Sequence, residues 1–448
     1  MYTPERVAIS FMAAASLGTV ALGTAVAFEL SRPAVSVQQS GAASALTTPQ
    51  PGTTGTNPSA QGSGSAGTAG TVGTAGTAGT GGASGSASQG VNNGVITVGG
   101  IYDETGPVDA TVERDTVRSY FDEVNAAGGV NGYHLKLVDC DSQYSATVAH
   151  QCSLQLQSQG ILAFVGSLSV NGEQPETPYQ TGQGIPVVGG LGVPSEFQSP
   201  LSFPVVSNFA TQGTAEGNHA KALGIHHPGI VLLNVDFVQP ALQALLDALH
   251  KNGIQEVDVE KVDTAKPDYT DVAFKLKQSG ADSIIAGLDP FSYARFFQAL
   301  NRIDWHPTFF GSGLDKKSAE QAYGSAVYGA QSLTPILEPD EHMNTKQMAE
   351  YYGAVQKYYP NQVPALDVYS EGDWLAAKVF VQAIARIGNH PVTRQSLAAA
   401  LESIRGYNSG LTPPTSYSHA AAHDPDRCFQ WTQNNNGTWH TYSGWNCF

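Results

Sequence analysis

Short apolar runs alternate with helical stripes from Gly94 to about residue 330, and this alternation limits the fold more than any motif does. VITVGG (95–100) suits a buried strand, and Val112, Val117, Tyr120, Phe121 and Val124 follow at helical spacing. YHLKLVD (133–139), a helix from about Ala146 to Gln157, ILAFVG (161–166), a further helix and IPVVGG (185–190) continue the theme. It restarts at GIVLLNVD (229–236), where Leu242, Leu245, Leu246 and Leu249 stripe the next helix. EVDVEKV, DSIIAGLD and PTFFGSG then alternate with helices carrying Val272 and Leu276, and Tyr293, Phe296, Phe297 and Leu300. Apolar runs joined by helices predict α/β architecture, with two largely parallel sheets covered on both faces. The break between the two units falls at SFPVVSNFATQG (202–213). Helices around 342–358 and 370–388 follow, then a tail from about 405.

The first 94 residues read differently. Arg6 precedes VAISFMAAASLGTVALGTAVA, which ends in the small-x-small triplet Ala25-Val26-Ala27, the form of a signal peptide cleaved after Ala27. The same run is long enough to stay as a membrane anchor, so 1–30 is either signal or anchor. No cysteine lies near it, which excludes lipidation there. Residues 31–94, rich in Gly, Thr, Ser and Ala, hold too few large apolar side chains to offset chain entropy and read as a flexible linker. Either form of the leader places the remainder outside the cytoplasmic membrane, at the cell surface or beyond it.

Four cysteines in an exported chain suggest two disulfides, Cys140 with Cys152 and Cys428 with Cys447, among three possible pairings. Zinc is the rival reading, although neither pair has C-x-x-C spacing. The tail CFQWTQNNNGTWHTYSGWNC reads as a hairpin with Asn-Asn-Gly at its turn and the cysteines at its ends. A formal charge of -16 argues against nucleic acid or an anionic membrane surface as partner.

In open parallel sheets, ligands bind beyond the C-terminal ends of the strands. Tyr102, Asp103, Glu104, Ser167, Ser169, Gly190, Gly192, Asp236, Asp289, Phe291, Ser312 and Asp315 fall there. Such small, hydroxyl-bearing, acidic and aromatic residues suit a small polar or amphipathic molecule. Enzyme signatures are missing: no G-x-S-x-G, no H-E-x-x-H, no strand-anchored G-x-G-x-x-G. GSGLDKKS (311–318) fails as a phosphate loop because Lys316 stands where glycine is required. His226 and His227 read as an exposed loop rather than metal ligands, and Asp139 and Asp141 as loop or cap residues rather than a calcium site. Asp103 and Glu104 diverge too far for paired acid and base work and suit a ligand cation or hydroxyl better. Tyr293 and Phe297 read as helix core. No cofactor or metal is expected.

The segments ITVGGIYDETGPVD, YFDEVNAAGGVNGYHLKLVDCDS and LAFVGSLS resemble the first lobe of type I periplasmic binding proteins. They are most similar to the leucine/isoleucine/valine-binding proteins that feed branched-chain amino acid ABC transporters. ADSIIAGLD, PTFFGSG and DVYSEGDWLAAKVFVQAI, which holds Tyr369, extend the resemblance over roughly 95–400. It implies two Rossmann-like lobes joined by three crossovers that close around a ligand. Residues 95–207 with about 334–404 would form lobe one, and 208–333 with about 405–448 lobe two. It also implies that an α-carboxylate meets Ser169, Val170, Asn171, Gly190 and Gly192, with Tyr102 nearby. The lobe-two acid for an α-ammonium is not in its usual place; Asp289, Asp315 or Asp236 stands as a substitute. NAAGGVNG (125–132) reads as a helix-to-strand joint, with Gly128 or Gly129 in a left-handed cap. The implied function is non-catalytic solute capture by a monomer that delivers a small molecule, an amino acid or related compound, to an ABC permease encoded elsewhere. A sensor domain signalling to a membrane receptor is the second reading. A hydrolase is the third and lacks a nucleophile with a nearby base.

Overall fold

The structure, a computed structural model, describes residues 89–417, 422–424 and 426–448. The leader 1–30 and linker residues 31–88 lie outside them. The first sheet contains β1 (Val91–Asn92), β2 (Val95–Tyr102), β3 (His134–Asp141), β4 (Phe164–Val165), β5 (Val187–Val188) and β6 (Ser202–Phe203). Its strands run parallel in the order β3-β2-β4-β5-β6, with β1 antiparallel on β2. Helices α1 (Thr111–Ala126), α2 (Ala146–Ser158) and α3 (Glu173–Gly182) connect them.

β1 corrects the expected linker end at 94. Val91 and Asn92 pair with Ile96 and Val95 across an Asn93-Gly94 turn. Positive φ at both turn residues, 48° and 75°, is the geometry that makes Asn-Gly a hairpin signal.

The second sheet follows β7 (Pro228–Leu233), β8 (Asp258–Val262), β9 (Ser283–Gly287), β10 (Thr308–Ser312) and β11 (Gln331–Thr334), all parallel. β12 (Cys428–Asn435), β13 (Thr438–Thr441) and β14 (Asn446–Cys447) add an antiparallel edge, so the order is β13-β12-β11-β10-β9-β7-β8. Around it lie α4 (Phe209–Ala222), α5 (Gln239–Lys251), α6 (Thr270–Gln278), α7 (Pro290–Arg302) and α8 (Lys317–Tyr323). Strand alternation splits this core in two. Val231, Ile284 and Phe309 meet Tyr293, Phe296 and Leu276 on one face, while Ile230, Ile285 and Phe310 meet Leu242, Leu245 and Leu249 on the other.

After β11 the chain returns to the first lobe through α9 (Pro339–His342), α10 (Lys346–Tyr358), α11 (Val368–Ile387) and α12 (Arg394–Glu402). Trp374, Phe380 and Ile384 of α11 pack with Val117 and Phe121 of α1, each burial contributing about 1.5–3 kcal/mol. The chain passes between the sheets at 204–208, after Thr334 and again before Cys428. The last passage comes later than the sequence boundary near 405. Ile404, Leu411 and Tyr417 bury in the first core, the Tyr417 hydroxyl donates to Pro204 O at 2.8 Å, and His423 stacks on Phe203. No periodic pattern marks this stretch, so its packing was invisible to spacing arguments. Disulfides join Cys140 to Cys152 and Cys428 to Cys447, the second pair facing each other across β12 and β14.

Candidate functional site

A cavity of about 200 Å³ lies where the C-terminal strand ends of both lobes meet. Lobe one contributes Ser167, Leu168 and Val170 after β4, and Gly190, Leu191 and Val193 after β5. Lobe two contributes Leu288, Asp289 and Pro290 after β9, Ser312, Gly313, Asp315 and Lys316 after β10, and Phe209, Gln212 and Glu216 from α4. Val206, Pro335 and Ile336 line it from the crossovers, while Tyr369, Gly372 and Asp373 come from α11. With Phe237, Val108 and Leu232 the walls are largely apolar, and the polar groups are few and fixed. Gly313 permits the close approach of the lobes here: its φ is 80°, and a Cβ would sit 2.6 Å from the Tyr369 hydroxyl.

Several backbone amides at the lobe-one strand ends are already engaged by carboxylates of the chain itself. Val170 N donates to Asp103 Oδ2 at 2.8 Å, and Ser169 N to Glu173 Oε1 at 3.1 Å. Leu191 N donates to Glu173 Oε2 at 2.7 Å and Gly192 N to Glu196 Oε2 at 2.9 Å. Ser167 N donates to Asp373 Oδ1 at 3.2 Å. The start of α7 is capped by Asp289, which accepts from Phe291 N and Ser292 N at 3.0 Å. Burial, and then the charge of Glu173, push the Glu196 carboxyl well up, and burial raises Glu173 as well.

Lys316 is the only cation among the described residues of the cavity wall. Its Nζ bridges the lobes, donating to Asp367 Oδ2 at 2.9 Å and to Glu113 Oε1. Burial opposes its charge, but Asp367 and Glu113 hold it above the usual lysine range. Burial pushes Glu113 up to about 7 against the pull of Lys316. Burial also pushes Glu216 up to about 8, and Asp315 to about 7 with help from the Asp367 charge. Asp373 is raised by burial and then by Glu113. One side-chain oxygen of each of Glu216, Asp315 and Asp373 lacks any hydrogen-bond partner.

Of the residues expected at the site, Ser167, Val170, Gly190, Asp289, Ser312, Asp315 and Tyr369 line the cavity. The others sit elsewhere. Tyr102 is wholly buried in the first core, its hydroxyl 3.4 Å from Gly166 O. Ser169 is buried beside Asp103 and Glu173, and Asn171 donates its side chain to Tyr144 O at 2.8 Å. Gly192 is held behind the wall by Glu196. Asp236 is exposed at the start of a single 3-10 turn, and Phe291 stands 48% exposed on the solvent side of α7. Asp103, read as a ligand contact, instead accepts from Ser142 Oγ, Tyr144 N and Val170 N inside the loop cluster. Sequence spacing missed Phe209, Glu216, Lys316, Gly372 and Asp373. Glu216 had one available signal, an acid on the buried small-residue face formed by Gly213, Ala220 and Gly217.

Among the described residues no cluster of His, Cys, Asp and Glu is arranged to hold a metal. His226 and His227 are exposed, their backbone amides bonded to Asp282.

Residues 95–438 match the family model described as periplasmic binding protein. Comparison with curated protein sequences finds no match. Among solved structures, the chain is similar to a branched chain amino acid ABC transporter protein from Thermus thermophilus with bound valine. The TM-score is 0.71 at 17% identity, covering 79% of this chain and 97% of that one. A fatty acid ABC transporter substrate-binding protein from Thermomonospora curvata gives 0.70 at 18%, covering 81% and 94%. A solute binding protein of an ABC transporter from R. palustris, in complex with benzoate, gives 0.67 at 15%, covering 78% and 95%. At such identities the likeness establishes the fold.

Proposed function

Because the chain belongs to the periplasmic binding protein family, we propose that it captures a small solute between its lobes outside the cytoplasmic membrane and delivers it to an ABC permease. The observation that carries this reading is the cavity itself: apolar, small, and walled by both lobes at their strand ends. Opening the lobes would release the solute, and the three passages between the sheets are the hinge. Ser167, Val170, Gly190, Asp289, Ser312, Asp315 and Tyr369 are the contacts we assign from the sequence, with Phe209, Glu216 and Gly372 added from the fold. Residues 1–30 export or tether the chain, and 31–88 space the folded part from that point. The protein binds its solute without turning it over.

Neighbours of the same fold carry names that specify a branched chain amino acid, a fatty acid and benzoate, so fold alone does not select the solute. A thermal-shift screen of the full chain against amino acids, amines, amides, and aliphatic and aromatic acids tests the reading. A cognate solute stabilises the closed protein by linkage, about 2.7 kcal/mol at a hundredfold excess over Kd. Chemical conversion of that solute on incubation would contradict the proposal.

A further inference from the structure

We infer that the cleft takes an organic amine: an apolar or aromatic body bearing a protonated nitrogen and no carboxylate. This inference rests on the solute-capture reading and names its ligand class.

Unsatisfied acceptors come first. Glu216 Oε1, Asp315 Oδ2 and Asp373 Oδ2 have no hydrogen-bond partner, and their residues line the cavity at 6%, 4% and 5% exposure. A buried carboxyl with an unpaired oxygen is costly when charged and is pushed toward its neutral form. The upward displacement of Glu216, Asp315 and Asp373 fits that expectation, and a cation placed beside any one of them would oppose it.

Among the described residues of the wall, no cation is free to pair with these oxygens. Lys316, the only positive side chain of the described wall, is engaged by Glu113 and Asp367, so this cluster carries more carboxyl groups than positive charges.

Recognition of an anionic group meets a separate obstacle at the lobe-one strand ends. A carboxylate ligand needs free amides or a free cation. Ser169 N, Val170 N and Gly192 N, three of the positions where sequence resemblance placed an α-carboxylate, already donate to Glu173, Asp103 and Glu196, and Leu191 N beside them donates to Glu173. At these amides a ligand carboxylate would have to displace a buried internal one. The wall that holds these carboxyl groups also holds the apolar surfaces of Phe209, Phe237 and Ile336, which suit the body of an amine.

The test uses the full chain and titration calorimetry with two matched series. The first is phenethylamine, phenylalanine, 3-phenylpropionate and 3-phenylpropionamide; the second is isoamylamine, leucine, 4-methylvalerate and 4-methylvaleramide. In at least one series the amine should bind one to one, at least tenfold tighter than its amino acid, acid and amide. Glu216→Gln and Asp315→Asn should each weaken that amine at least tenfold while leaving the ligand-free melting temperature at or above the parent's. Tighter binding of the acid or amino acid, equal binding of the amide, or undiminished amine binding by both variants would overturn the inference. If neither amine binds while another class stabilises the chain in the solute screen, the ligand class falls and solute capture stands. If no class binds, both fall.

Discussion

At the residue scale, the chain uses carboxylates where its fold offers amides. Asp103, Glu173, Glu196 and Asp289 fill donor sets at the strand ends and at a helix start. Buried acids make stability depend on pH with a sign that can be worked out. Glu216 has a raised folded pKa, so the stability it contributes is complete below about 4.5 and is lost as pH rises through about 8. Replacing it with Gln removes that loss. Glu216→Gln is expected to be more stable than the parent by a few kcal/mol near pH 8.5, with the difference vanishing below pH 4.5, as read from urea unfolding across pH. A constant difference across that range would show that burial does not raise this group. Lys316 behaves oppositely, because its loss strands Glu113 and Asp367 in the interior. Lys316→Met should cost about 3–5 kcal/mol, and adding Glu113→Leu should restore part of it. A cost below about 1 kcal/mol would deny the interlobe bridge its structural role. None of this was legible from spacing. Tyr102 and Asn171 sit where sequence reasoning looked for ligand contacts, yet their side chains turn to Gly166 O and Tyr144 O, because direction within a loop is set by tertiary packing.

At the scale of elements, the parts with periodic patterns were readable. Strand runs and the Leu242, Leu245, Leu249 stripe appear in the structure where alternation placed them. NAAGGVNG is a joint: Gly128 and Gly129 leave α1 with positive φ, and the Asn125 side chain pairs with both backbone groups of Leu135. Asn131 adds a bond to Ile384 O, tying the joint to the end of α11. Loops and short strands were less readable: β4 and β5 pair over two residues each within longer apolar runs. α11 shows how an element serves the site. Gly372 lies inside this helix, where glycine is unfavourable, and a Cβ there would meet only Val206 Cγ1 at 3.8 Å within contact range. The glycine therefore keeps room at the cavity wall. Gly372→Ala is expected to raise ligand-free stability by about 0.5–1 kcal/mol, measured by urea unfolding, and to weaken solute binding. Destabilisation by this change would mean that the space is not open.

At the scale of the molecule, a two-lobed frame was legible because binary patterning over whole units averages out local error. The wall of the site was not, because it is assembled from segments as distant as Phe209 and Asp373 that meet only when the chain returns through α11. The same return explains the late final passage, where Tyr417 and His423 stay with the first lobe. The whole account turns on the cavity between the lobes being where the solute sits. Its most direct test is titration of the solute found by the thermal screen into the parent chain and into Gly372→Leu, whose side chain would occupy the cavity. The account predicts one-to-one binding by the parent, and at least a hundredfold loss in a variant whose ligand-free stability is no lower. Equal affinity in the two proteins would place the solute elsewhere and contradict the account.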